Sequence, residues 1–212
     1  MNYIDFYNRI SKIKNLPLPG SKAHFLMEPP ERRKYQDLRK IEERNPRRAG
    51  VMALFYPKAD ETHLLFILRK SYKGVHSNQI AFPGGKEEKV DNSMLETALR
   101  ETEEEVGVPV HKVEVVKELS KLYIPPSNFW VQPYLGLYTE IEPFQKQESE
   151  VEDILEIPMR YVLNEDNLTS LKLNTSYAQG VEVPAFNFEG RVVWGATAMM
   201  LNEIKLLLKQ VL

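Results

Sequence analysis

Tyr3, Phe6, Ile10 and Ile13 recur at steps of three and four, the spacing that gathers apolar side chains on one face of a helix. Pro17, Pro19 and Gly20 then punctuate the chain and end that helix. Pro29-Pro30 makes a second break ahead of a charged stretch from Glu31 to Arg48, with eight Lys or Arg against four Asp or Glu. Such a run reads first as the solvated face of a helix, with a phosphate-contacting role as the alternative. From residue 50 the pattern changes. Residues 51–56 and 64–68 are apolar runs of strand length, with Asp60-Glu61 between them as in a hairpin. Residues 79–82 make another strand candidate, ending at Pro83-Gly84-Gly85; strand-like pieces follow at 113–119, 131–138 and 153–157. Residues 181–193 supply one more hairpin around Glu189-Gly190. The chain closes with 196–212, where Met199, Met200, Ile204, Leu207, Leu208 and Val211 suit an amphipathic helix. Strands interleaved with helices, some antiparallel hairpins and one core predict a mixed-sheet α/β fold.

The most informative stretch follows the Pro-Gly-Gly turn. Ser93, with Glu96 three residues later, has the form of a capping box, which places a helix start near Met94. Gly107 stands where a helix commonly ends in glycine. At about 100° per residue, Leu95, Leu99, Thr102 and Val106 form one stripe, and Glu101, Glu104 and Glu105 share another arc of about 100° away from it. Like charges on one face repel, and those near the C-terminus oppose the helix dipole. A hard divalent cation resolves both costs, because Mg²⁺ and Mn²⁺ take oxygen ligands. The alternative is an ordinary acidic surface; the strand, turn and cap built around these glutamates weigh against it.

Composition narrows the choice. The 212 residues carry 28 Lys or Arg and 30 Asp or Glu, a net charge of −2, so no global field draws the protein to nucleic acid. With 42% apolar and 27% charged residues the chain is of ordinary globular make-up. No apolar run approaches the roughly 18 residues of a membrane helix, and the N-terminus lacks the basic and apolar regions of a secretion signal. A cytoplasmic protein is expected. The absence of cysteine excludes a disulfide framework, cysteine–zinc sites and thiol nucleophiles, and no Gly-x-Ser-x-Gly turn offers a serine. Gly84-Gly85-Lys86 is not a Walker loop, since Glu87 follows the lysine and the upstream glycine is missing. His24, His63 and His111 have no metal-ligand spacing and read as core or solvent positions. His76 precedes the turn and is a candidate for the pocket wall. Trp130 and Trp194 read first as packing residues, with base-stacking platforms as the alternative.

Gly85 through Val108, with Arg100-Glu101, Glu104-Glu105 and Gly107 at their spacing, resembles the Nudix box. That box is the strand–loop–helix signature of hydrolases acting on nucleoside diphosphates linked to another moiety. The stretch from Gly85 to Arg100 is one residue longer than the common form, Asp91 stands where an early glutamate is usual, and Thr102 replaces an aliphatic residue. Residues 64–69 and 76–86 are similar to the additional signature of coenzyme A pyrophosphatases, and 193–198 to the start of that branch's C-terminal helix. Asn78 stands where that signature usually has glycine, and Gly74 where it usually has arginine. The resemblance spans about residues 47–208.

The resemblance implies a Nudix α/β/α sandwich with a mixed β-sheet over residues 47–212, preceded by a helical extension, 1–46, packed on that domain. It implies hydrolysis of a nucleotide conjugate with Mg²⁺ or Mn²⁺ as cofactor, coenzyme A being the leading substrate and ADP-ribose or another nucleotide the alternative. Glu101 and Glu105 would hold the metal, Glu104 an additional ion or its water, and the Gly84 carbonyl would be a further ligand. Arg100 would orient the glutamates through charge-assisted hydrogen bonds. Glu150 resembles the loop glutamate that completes the metal site or serves as base, with a plain surface glutamate as the equal alternative. Arg47, Arg48, Arg69, His76 and Lys86 are expected at the substrate. The expected partner is a small-molecule nucleotide, without nucleic acid or membrane, and a homodimer is compatible with it. A non-catalytic nucleotide sensor is the alternative of a different class; the presence of all three box carboxylates favours the enzyme.

Overall fold

A computed structural model describes residues 2–35, 37–71, 78–140, 142–174 and 179–212. Asn2 caps helix α1 (Tyr3–Ile10) by accepting the Ile4 N–H, and a 3-10 turn over Ser11–Asn15 extends it. Tyr3, Phe6, Ile10 and Ile13 are all buried, as their spacing predicts. Helices α2 (Ser21–Leu26) and α3 (Leu38–Glu42) are short, with a 3-10 turn at Pro30–Tyr35 between them. The charged stretch is therefore not one solvated helix. Asn45, at φ 47°, and Pro46 stop α3, and the two arginines that follow already belong to a strand.

Strands β1 (Arg47–Lys58) and β2 (Glu61–Arg69) form the expected hairpin, turning on Ala59 and Asp60 at positive φ. The chain continues through β3 (Ile80–Ala81), β4 (Gly84–Lys86), α4 (Met94–Val106), β5 (Val113–Glu118), β6 (Leu122–Ile124), β7 (Phe129–Tyr138) and β8 (Val151–Pro158). It ends with α5 (Met159–Leu163), β9 (Leu168–Leu173), β10 (Val181–Phe188), β11 (Arg191–Trp194) and α6 (Gly195–Leu208). The main sheet runs β3-β2-β1-β7-β5, with β4 paired to β1, β6 to β7 and β8 to β2; β9, β10 and β11 make a second, small sheet. β1 is the hub of the main sheet. It runs parallel to β7 from Arg47↔Phe129 to Phe55↔Leu137 and antiparallel to β2 and β4.

Alternation along β1 sends Ala49, Ala53 and Phe55 to one face and Met52, Leu54 and Tyr56 to the other. The first face packs against α1 and α6, with the Phe6 and Phe55 rings 5.0 Å apart and Met200, Ile204 and Leu207 buried from α6. The second face takes α4 through Met94, Ala98 and Val106. Helices on both faces of a mixed sheet give the expected sandwich. α4 lies so close to β1 that a Cβ at Gly50 would stand 2.3 Å from the Met94 carbonyl oxygen.

The cap at Ser93 forms as its sequence predicts: its hydroxyl accepts the Glu96 N–H at 3.2 Å, and Glu96 accepts the Asn92 N–H at 2.8 Å. Gly107 closes α4 at φ 75°. The buried stripe is rotated from the expected one. Met94, Ala98, Thr102, Glu105 and Val106 are buried, whereas Leu95 and Leu99 are half-exposed. The reason is the bare backbone at Gly50, which draws the small-residue side of the helix inward. Thr102 fits this buried position because its hydroxyl donates to the Ala98 carbonyl at 2.6 Å. Among the described residues no helix is long and apolar enough to cross a membrane.

Candidate active site

β4 and α4 assemble the site. Gly84 adopts φ +147°, a backbone that side chains disfavour, and pairs with Val51 while Gly85 pairs with Gly50. This turn aims the Gly84 N–H at the helix, where it donates to Glu105 Oε2 at 2.7 Å. Arg69, the last residue of β2, places Nη1 3.5 Å from Glu105 Oε1. The Glu105 side chain is only 2% exposed. It does not share a solvent-facing arc with Glu101 and Glu104; the rotation of α4 carries it under the turn. Burial pushes its carboxyl from the ordinary 4.5 up to about 8, against the Gly84 hydrogen bond and the Arg69 charge.

Glu101 lies one helical turn earlier, against Gly85. A Cβ on Gly85 would sit 2.3 Å from its carboxylate carbon. Burial raises this pKa too, against the pull of Arg100. Glu104 is half-exposed. Arg100 ties α4 to β4 and to the loop between them. Its Nε and Nη2 grip Asp91 at 2.9 and 3.0 Å, Nη1 reaches Glu101 at 3.0 Å and Glu104 at 3.2 Å, and Nη2 also donates to the Lys86 carbonyl at 3.2 Å. The Arg100 hydrogen bonds hold the Asp91 carboxyl well below the usual carboxylate range. Asp91 was not among the residues expected to function, although its place in the box was the signal. Asp91 reaches the guanidinium from the loop between β4 and α4. Glu150 is exposed at the end of β2, where its carbonyl accepts the Lys70 N–H at 2.9 Å. Its charge acts on both Glu101 and Glu105.

On the other side of the turn, a cleft of about 310 Å³ opens between the sheet and α6. Gly84, Gly85 and Lys86 form its edge, with Val51 and Val131 on the sheet side and Met200 on the helix side. Its charged lining residues, among those described, are Arg32, Arg69 and Lys86, all basic. Arg47 lies at the cleft's border, over the ring of the lining residue Phe129 at 4.1 Å and donating to the Ser127 carbonyl at 2.9 Å, while Arg48 pairs with Glu87 at 3.2 Å. His76 and Gly74 lie outside the described residues. Asn78 has φ 56°, so the position asks for a left-handed backbone that asparagine accepts in place of glycine. Arg32 was not legible as a site residue, because only the folding of the N-terminal segment over the sheet brings it to the cleft.

Among the described residues no three His, Asp or Glu side chains already converge as a metal-ligand set. The donor chemistry nevertheless fits a hard divalent cation: two neighbouring carboxylates are driven toward protonation by burial, and the bare Gly85 cradles one of them. A direct consequence concerns stability in chelator. The folded protein keeps a proton on Glu105 that the unfolded chain loses above its ordinary pKa of 4.5. Its contribution is therefore fully present below about pH 4.5 and is lost as pH rises through about 8. Urea unfolding of the metal-free protein should show stability falling across that window, and Glu105→Gln should flatten the slope. An unchanged slope in the variant would remove Glu105 as its source.

The NUDIX domain family model matches residues 46–174. The uncharacterized Nudix hydrolase NudL of Yersinia pestis (strain Pestoides F) is 33% identical over 160 residues, covering 74% of this chain and 78% of the relative. NudL of Yersinia pseudotuberculosis serotype O:3 (strain YPIII) matches to the same extent, 33% over 160 residues. Among solved structures, a MutT/nudix family protein from Enterococcus faecalis is similar over 82% of this chain and 69% of its own, at 17% identity and a TM-score of 0.49. The NUDIX domain of Shewanella oneidensis NrtR, complexed with ADP ribose, is similar over 56% of this chain and 76% of its own, at 19% identity and a TM-score of 0.44.

Proposed function

This chain belongs to the Nudix hydrolase family, whose members act on nucleoside diphosphate derivatives, and from that premise we propose that it hydrolyses the pyrophosphate bond of coenzyme A or its derivatives in the cytoplasm, with Mg²⁺ or Mn²⁺. The observation that carries this reading is the cleft. Its charged walls are the cations Arg32, Arg69 and Lys86, and it ends on the glycine turn that is backed by Glu101 and Glu105. A pyrophosphate diester, anionic at its centre, meets positive charge on one side and carboxylate ligands for a cation on the other. The uncharged stretch past Val131, Met199 and Met200 suits a limb that is long and neutral, as pantetheine is. The likeness of residues 64–69 and 76–86 to the coenzyme A branch supports the same choice.

Glu101 and Glu105 would hold the cation, with Glu104 at an additional ion or its water and the Gly84 carbonyl as a further ligand. When bound, the cation lowers the pKa of coordinated water and neutralises charge on phosphoryl oxygens. Arg100, braced by Asp91, fixes the directions of Glu101 and Glu104. Arg69 and Lys86 bind phosphate oxygens, the arginine through its planar fork. Glu150 takes a proton from the attacking water. The water oxygen bonds to one phosphorus, the bridging P–O bond breaks, and its electron pair leaves on the other phosphate. The products are 3′,5′-ADP and 4′-phosphopantetheine.

Comparing coenzyme A with dephospho-coenzyme A tests the substrate choice. Loss of one charge-assisted contact to the 3′-phosphate, about 1.5–3 kcal/mol, should lower kcat/KM about ten- to over a hundred-fold. Equal efficiency on both would remove that contact. Faster hydrolysis of ADP-ribose than of either would reject coenzyme A while leaving the pyrophosphohydrolase chemistry in place.

A further inference from the structure

The β6–β7 hairpin divides two spaces. Its register sets Tyr123 opposite Trp130 and Ile124 opposite Phe129, so each pair shares one face. Ile124 and Phe129 line the active-site cleft. Tyr123 and Trp130 line a separate cavity of about 600 Å³ under the N-terminal segment, which adds Phe25 and Tyr35. Lys22 brings positive charge to this cavity, Arg32 and Glu28 enter it as an ion pair, and Ser21 adds a hydroxyl. Arg32 lines the cleft as well, so the two spaces meet at one guanidinium. That guanidinium is held in place by Glu28 at 2.8 Å and by the Tyr123 carbonyl.

The wall of the cavity is anchored. Glu203, fully buried on α6, accepts the Gly20 N–H at 3.0 Å and the Ser120 hydroxyl at 2.6 Å, and pairs with His24 at 3.3 Å. Burial raises the Glu203 pKa, but the hydrogen bonds from His24, Ser120 and Gly20 outweigh it and hold the carboxylate below its usual range. Of the rings that line it, Tyr123 and Trp130 lie 5.4 Å apart, and Phe25, 49% exposed, stands at the rim with Leu38, 63% exposed.

We infer that this cavity receives the purine base of the substrate, with Arg32 and Lys22 meeting the phosphate carried on its ribose. The inference rests on the reading of the cleft as a nucleotide pyrophosphate site and assigns the nucleotide half of the molecule a place of its own. Aromatic side chains take the face of a base by stacking, hydroxyl and carboxylate groups take its edge, and a fixed guanidinium takes a phosphate. The volume falls in the range of small-molecule sites. The apolar cleft past Met200 is then left to the other limb.

Calorimetric titration of the intact protein with adenosine 3′,5′-bisphosphate, in chelator so that nothing is hydrolysed, tests this assignment. One-to-one binding is expected, weakened at least about tenfold by Tyr35→Ala and by Arg32→Gln. Binding of 4′-phosphopantetheine should be insensitive to Tyr35→Ala. If either variant fails to fold by thermal melting, Trp130→Phe and Arg32→Lys are expected to weaken binding several-fold in a folded protein. Absence of bisphosphate binding, or binding that none of these variants changes, would overturn the inference. So would a Tyr35→Ala effect confined to oligomeric state in gel filtration, which would make the cavity an interface between copies. Bisphosphate bound through Tyr35 and Arg32 by a protein that leaves coenzyme A intact would support the cavity and reject coenzyme A as the substrate.

Discussion

Glu105→Gln should lower kcat by at least about 100-fold at saturating Mg²⁺ while leaving the protein folded. Glutamine has the size and helix propensity of glutamate, and its amide oxygen can still accept the Gly84 N–H that Oε2 now holds at 2.7 Å. What disappears is the carboxylate that would lose its proton and bind the cation. Removing a single group of this kind from an electrostatic site costs about 100- to 1,000-fold, or about 2.7–4 kcal/mol of barrier. Burial already disfavours the charged form of Glu105, so the neutral side chain should not destabilise the metal-free protein. Steady-state kinetics beside urea unfolding separates the two effects. Near-wild-type turnover would dismiss Glu105 as a metal ligand.

Gly85→Ala should be nearly as damaging for a different reason. The added Cβ would fall 2.3 Å from both the Glu101 carboxylate carbon and Oε2, inside any permitted contact. The carboxylate is the far end of a flexible side chain and will move, so the fold should survive with Glu101 displaced. A displacement of about 1 Å in a reacting constellation costs about 100-fold. Gly50→Ala offers the contrast. Its Cβ would meet backbone, the Met94 carbonyl oxygen at 2.3 Å and the Ala98 nitrogen at 2.9 Å, which cannot step aside without lifting α4 from the sheet. That variant should lose stability, by at least about 1–3 kcal/mol, whereas Gly85→Ala should lose kcat. Equal stability losses in the two would show that Gly85 acts through the fold alone.

The contrast between these glycines shows what the sequence makes legible. The α4 helix, its Ser93 cap and its Gly107 stop depend on neighbours within a few residues, and they stand where the local pattern puts them. The long strands announce themselves as apolar runs for the same reason. β4 and β6, three residues each, exist only because β1 and β7 offer them an edge, and no run of three residues encodes that. A helical wheel gives the angle between Glu101 and Glu105 but not the face that meets the sheet. That choice is made by Gly50, more than forty residues earlier in the chain. Hence the carboxylates were identifiable as a group, while the burial of Glu105 was not. Arg32 was hidden more completely, since a basic residue in a charged stretch looks like any other until Glu28 and the Tyr123 carbonyl fix it at the cleft.

Incubation of the purified protein with coenzyme A and Mg²⁺, with the products identified by mass, bears most directly on the assignment of a metal-dependent pyrophosphohydrolase. Equal amounts of 3′,5′-ADP and 4′-phosphopantetheine are expected, with formation abolished by chelator and by Glu105→Gln. Turnover that persists undiminished in chelator, or failure to cleave coenzyme A, ADP-ribose and diadenosine polyphosphates alike, would contradict it.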